Sequence, residues 1–97
     1  MQELPTLQEI EKVSRIFKLL SDATRLKILL TLEQGERNVT SIAEVVQMEQ
    51  SAVSHQLKLL KDNRMVKARR EGKTVFYRLD DQHVFDILEE TLEHTRH

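Results

Sequence analysis

The apolar period of this chain changes twice, from threes and fours to two near residue 64 and back near residue 81. That order confines the fold to a helical body carrying one β-hairpin. Leu7, Ile10, Val13, Phe17 and Leu20 predict an amphipathic helix over residues 6–20, punctuated by Ser21 and Asp22. Asp22-Ala23-Thr24-Arg25 opens a second helix whose Leu26, Ile28, Leu29, Leu30 and Leu32 are apolar almost all round, so it should be the central buried helix, ended by Gly35. Asn38 or Thr40 can cap a short third helix running through Val46. A break at Gln47-Met48-Glu49-Gln50 leads into a fourth helix, Ser51 to Lys61, with Val53, Leu57 and Leu60 turned inward. Met65–Arg70 and Thr74–Leu79 are rich in β-formers and flank the turn Glu71-Gly72-Lys73. A last helix follows from about Asp81.

The fold class this predicts is mainly α with a β-hairpin wing: a winged helix-turn-helix with a helix on either side, the first and last being free to form a homodimer. Its 97 residues suit a single domain, 1–97, whose small core gains from dimerisation. No run approaches the roughly 20 apolar residues that cross a bilayer, and Met1-Gln2-Glu3-Leu4-Pro5 lacks the basic and apolar blocks of a signal peptide. A cytoplasmic location without membrane association is expected. The absence of cysteine excludes disulfides, thiolate catalysis and sulfur-ligated metal, so any metal must be held by nitrogen and oxygen.

A net charge of −1 hides strong sorting. Residues 55–78 carry Lys58, Lys61, Arg64, Lys67, Arg69, Arg70, Lys73 and Arg78 against Asp62 and Glu71, whereas residues 79–97 carry Asp80, Asp81, Asp86, Glu89, Glu90 and Glu93 against Arg96. The local field decides binding, so the basic block suits phosphates and the acidic tail suits a cation. A helix-turn-helix lays its second helix in the major groove, which here would present Gln50, Ser51, Ser54, His55 and Lys58 to double-stranded DNA. Gln50 and the serines can address base edges, and His55, remote from other ligands in sequence, reads as a groove-facing donor. Lys58 and the wing residues Arg69, Arg70 and Lys73 would hold phosphates.

The remaining histidines form a pattern of their own: Asp81-x-His83, ten residues, then His94-x-x-His97. His83 and His94 are close to three helical turns apart, so both lie on one face but roughly 16 Å apart along the axis, too far to share an ion. His94 and His97, at i and i+3, can chelate together, and a non-helical cap residue lets Asp81 swing toward His83. Should a second copy of the helix run antiparallel, each end meets the opposite end of its partner, and the dyad builds two four-ligand sites. The spacing therefore predicts a dimer together with one zinc per protomer. Three imidazoles and a carboxylate suit Zn(II) or Co(II) in tetrahedral geometry, with Glu90 hydrogen-bonding a ligand histidine rather than binding the ion.

Ser21-Asp-Ala-Thr-Arg-Leu-Lys-Ile-Leu, Ser51-Ala-Val-Ser-His-Gln-Leu-Lys-Leu-Leu, Val66-Lys-Ala-Arg-Arg-Glu-Gly-Lys and Tyr77-Arg-Leu-Asp-Asp-Gln-His together resemble the ArsR/SmtB family of bacterial metal-sensing repressors. The similarity covers nearly all of the chain. Its terminal motif is similar to that of the family's zinc and cobalt sensors, which hold metal between paired C-terminal helices. The resemblance implies a homodimer that binds a palindromic operator when metal-free and is released by zinc, with Asp81, His83, His94 and His97 as sensing ligands. It also implies a relay in which His94 bonds a backbone carbonyl just after the recognition helix, here that of Asn63 or Arg64. Two departures stand out: Arg37-Asn38-Val39-Thr40-Ser41 has no cysteine pair for a second metal site, and Glu49 stands where such repressors often carry a capping serine.

Two other readings compete. A metalloenzyme is disfavoured because four protein ligands fill a tetrahedral ion, whereas catalytic zinc keeps a position open. The alternative to a sensor is a DNA-binding module in which an inter-subunit zinc is purely structural; zinc titrated into an operator complex separates the two.

Overall fold

The computed structural model describes residues 3–97; Met1 and Gln2, part of the segment weighed as a signal peptide, lie outside the described residues. The chain runs α1 (Leu7–Leu20), α2 (Ala23–Glu33), β1 (Arg37–Asn38), α3 (Val39–Val46), α4 (Gln50–Asp62), β2 (Val66–Glu71), β3 (Thr74–Leu79) and α5 (Gln82–Thr95). This is a winged helix-turn-helix, with α3 and α4 as the helix-turn-helix and β2–β3 as the wing.

Local chemistry sets the helix starts. Thr6 closes a capping box with Glu9, Asp22 accepts from the Arg25 N–H at 2.9 Å, and Asn38 accepts from Ser41 at 2.8 Å. Each cap satisfies a backbone N–H that the first helical turn leaves without a partner. Asp22→Ala should therefore lower stability by about 1 kcal/mol, read as a fall in the urea midpoint at constant m-value.

Two boundaries moved and one element was added. The break before α4 is shorter than expected, because Gln50 already lies in the helix and Glu49 is its N-cap. The wing turn is tighter, since Glu71 pairs with Thr74 and leaves only Gly72-Lys73 between the strands. Gly72 takes φ +62°, the positive value that a type II′ hairpin requires at its first central residue. A third strand, β1, was not anticipated; it pairs antiparallel with β3 to give the sheet order β1-β3-β2.

The core gathers on α2 as its composition requires. Ile28, Leu29 and Leu32 meet Ile42 and Val46 of α3, Val53, Leu57 and Leu60 of α4, Met65 and Val66 at the wing base, and Val84 and Leu88 of α5. The one buried polar side chain of this core region, Thr31, donates its hydroxyl to the Lys27 carbonyl at 2.7 Å. Helix α1 behaves differently, because only its last turn is buried, at Leu19 and Leu20. Leu7, Ile10, Val13 and Phe17 keep its apolar stripe exposed, Phe17 at 62%. An open groove of about 420 Å³ lies between Phe17 and Leu20 of α1, Leu26 and Leu30 of α2, and Ile87 and Leu92 of α5. The stripe and this groove form one apolar face that a single chain does not cover.

Candidate metal centre and nucleic-acid interface

Helix α4 separates its faces cleanly: Val53, Leu57 and Leu60 are buried, while Gln50, Ser51, Ser54, His55 and Lys58 are all exposed. Lys58 is partly occupied by Asp62, 3.2 Å away one turn on, in a pair open to solvent that competes weakly with a phosphate. Glu49 makes no capping hydrogen bond, so its exposed carboxylate stands free at the start of the helix.

On the wing, alternation places neighbouring residues on opposite faces. Val66, Ala68 and Arg70 share the face that packs on the core at its base, and Lys67, Arg69 and Glu71 share the other. The three expected phosphate-binding residues are therefore not equivalent. Arg70 and the turn residue Lys73 are exposed without ion-pair partners among the described residues. Arg69 instead faces Glu36 at 2.6 Å and Glu71 at 2.7 Å. The hydrogen bond from Arg69 holds the Glu36 carboxyl below the ordinary carboxylate range, and the two acids push the guanidinium pKa up.

The metal-ligating candidates divide into two pairs at opposite ends of α5. Asp81 is the N-cap: one carboxylate oxygen accepts from the Val84 N–H at 3.2 Å while the other stands 3.4 Å from His83 Nδ1. The Val84 N–H, and then the His83 ring, keep the Asp81 carboxyl below its usual range. Capping thus leaves one oxygen of Asp81 paired with an imidazole whose side chain is 90% exposed.

At the other end His94 lies in the last helical turn, but His97 does not continue the helical face. Helix α5 stops at Thr95, and its C-cap Arg96 shares its N–H between the Leu92 and Glu93 carbonyls, the Leu92 carbonyl also accepting the Thr95 hydroxyl at 2.7 Å. His97 Nε2 lies 3.2 Å from Glu93 Oε1 instead. Glu90 is exposed and makes no side-chain hydrogen bond among the described residues. Within one chain, among the described residues, no three His, Asp or Glu side chains gather closely enough to hold a metal ion. The donors present, imidazole and carboxylate, nevertheless match a Zn(II) or Co(II) coordination shell.

Asp81 and His83 open onto a hollow of about 500 Å³ whose other walls include Lys12, Arg15, Asn63, Arg64 and Ile87. Asn63 and Arg64, the residues expected to supply a relay carbonyl, are thus brought to the same hollow as the first donor pair. Among the described residues neither of their carbonyls accepts an intramolecular hydrogen bond. Arg64 bends the chain out of α4 with a left-handed φ of +59°. Lys12 and Arg15 were not singled out from the sequence; their i, i+3 spacing on the polar side of α1 was the available signal.

Comparison with known proteins agrees with this architecture. Residues 22–68 match the bacterial regulatory protein, arsR family. The chain is 36% identical over 92 residues to a transcriptional repressor SmtB homolog of Synechocystis, covering 95% of this chain and 70% of that protein. It is 42% identical over 85 residues to a cadmium resistance transcriptional regulatory protein CadC homolog of Staphylococcus aureus, covering 87% of this chain and 70% of the relative. It superimposes with TM-score 0.85 and 32% identity on a homodimeric winged helix-turn-helix DNA-binding domain of Mycobacterium bovis, covering 99% of this chain and 91% of that one. With the helix-turn-helix, the wing and similarity over nearly all of this chain in agreement, this chain belongs to the ArsR family of bacterial transcriptional regulators and is not an enzyme.

Proposed function

We propose that the chain is a zinc-responsive transcriptional repressor, with cobalt as the other ion its ligands suit. It works in the cytoplasm as a homodimer, binds a palindromic operator when metal-free, and lets go when one ion per protomer binds between the two α5 helices. The observation that carries this reading is the division of Asp81 and His83 from His94 and His97 by the length of α5, on a chain whose adjoining α1–α5 face is apolar and uncovered.

In this arrangement Asp81 and His83 of one protomer join the partner's His94 and the partner's His97. The ion supplies a fixed, geometrically demanding link between two chains that otherwise touch through apolar groups. The partner's His94, with one ring nitrogen committed as a ligand, offers the other N–H to the free carbonyl of Asn63 or Arg64. That bond would join α5 of one chain to the end of α4 in the other and so set the separation of the reading helices. Addition of zinc to the protein–operator complex tests the proposal: release is expected, and undiminished affinity would reduce the zinc to a structural role.

On DNA, Ser54→Ala or His55→Ala should erode discrimination at one base position by about 1–3 kcal/mol, measured by competition among operator variants. Lys73→Ala should weaken all duplexes alike and flatten the salt dependence by about one phosphate contact. Two recognition helices related by a dyad require half-sites about one helical turn apart.

A further inference from the structure

We infer that the wing is one-sided: Arg69 is a positioning residue that latches the hairpin to β1 through Glu36, and only the Arg70 face and the Lys73 tip meet the DNA backbone. The inference rests on the proposed operator binding and changes which of its residues touch DNA.

The geometry is specific. All three guanidinium nitrogens of Arg69 face carboxylate oxygens, with Nε and Nη2 at 2.8 and 2.6 Å from Glu36 Oε1 and Nη1 at 2.7 Å from Glu71 Oε2. The guanidinium carbon also lies 4.8 Å from the Phe76 ring centroid, which restrains its plane from below. The sheet register explains the meeting. Phe76 is directly opposite both Arg69 on β2 and Asn38 on β1, so Arg69 reaches across β3 to the residue that leads into β1. Glu36 is 33 positions away in sequence, and the strand it leads into also carries Asn38, the N-cap of α3. The latch therefore ties the wing to the root of the helix-turn-helix.

Charge gives the face its character. The charge of Arg69 is committed to Glu36 and Glu71, with Lys67 and Arg78 paired farther along the same face, so its guanidinium is not free to take up a phosphate. Arg70, on the opposite face with Val66 and Ala68, has no such neighbours, and Lys73 projects from the turn. An isolated exposed ion pair does little, but a guanidinium held by two acids and stacked on a ring restricts direction even where it adds little stability.

Operator binding of the metal-free protein, followed by fluorescence anisotropy across a salt series, tests the assignment with Arg69→Gln, Glu36→Gln and Lys73→Gln. Lys73→Gln should reduce the slope of log K against log salt by about 0.9, the value for one lost phosphate contact. Arg69→Gln should weaken binding several-fold with the slope unchanged, and Glu36→Gln combined with Arg69→Gln should weaken it no more than Arg69→Gln alone. Amide exchange should quicken across β2 and β3 in both latch variants while the urea midpoint stays near that of the parent, which separates a loosened wing from a damaged fold. A slope reduced equally by Arg69→Gln and Lys73→Gln overturns the latch and leaves the wing on the backbone. Slopes unchanged in both remove the Lys73 contact with the backbone and so overturn the one-sided wing, and binding undiminished by Arg69→Gln overturns the latch itself.

Discussion

Homodimers carrying His83→Ala or His94→Ala should each lose tight zinc binding, and a mixed dimer of the two should regain one site. The four candidate ligands lie as two pairs at the ends of α5, and no three of them gather within one chain. A site shared between chains takes Asp81 and His83 from one protomer and His94 and His97 from the other. In the mixed dimer one composite site then lacks both histidines, while the other is complete. Structural zinc sites are worth about 10–16 kcal/mol, so one ligand of four accounts for roughly 3 kcal/mol, or about two decades of affinity. Competition with a chromophoric chelator should give two tight zinc ions per parent dimer, none for either variant and one for the mixture. A mixture with no tight site would remove the inter-chain arrangement, because ligands confined to one chain leave no complete set in either protomer. His97→Ala should cost less than His94→Ala, since His97 lies beyond the helix and already faces Glu93.

Methylation of the non-ligating ring nitrogen of His94 should leave zinc affinity within about tenfold of the parent and abolish zinc-driven operator release. Release requires that zinc bind one dimer conformation better than the other, and such couplings are typically about 1–3 kcal/mol, or 5- to 150-fold in operator affinity. The methyl group removes only the second-nitrogen donor. Among the described residues the Asn63 and Arg64 carbonyls accept no intramolecular bond, and both residues line the hollow that contains Asp81 and His83. If the methylated protein still drops its operator when zinc is added, the relay is not the signal, and stiffening of the dimer must be.

Helices and wing were legible because their signals are local. Periodicity marked α1 and α4, a run apolar almost all round marked α2, and Asp22, Asn38 and Asp81 each cap the helix they precede by accepting from an N–H within three residues. The core list followed from the same periodicity, with Val53, Leu57 and Leu60 buried on one face of α4. The limits were local too. Arg37-Asn38 is too short to show alternation, and it becomes a strand only because β3 offers an unpaired edge. His97 was placed on a helical face by counting in threes, yet the helix ends at Thr95 with Arg96 as its C-cap.

What the sequence by itself determined is therefore what depends on neighbours within a turn or two: where helices start, which faces are apolar, which residue types could hold zinc or reach DNA. Tertiary structure decided everything that depends on juxtaposition. It set Arg69 against Glu36 across β3, although a count of charges alone assigns Arg69 to phosphate. It brought Asn63 and Arg64 beside Asp81 and His83, and it left the stripe on α1 uncovered. The physical reason is range: capping and periodicity act over one to two helical turns, whereas the partner of a charge or a ligand is fixed by strand register and helix packing between residues far apart in the chain.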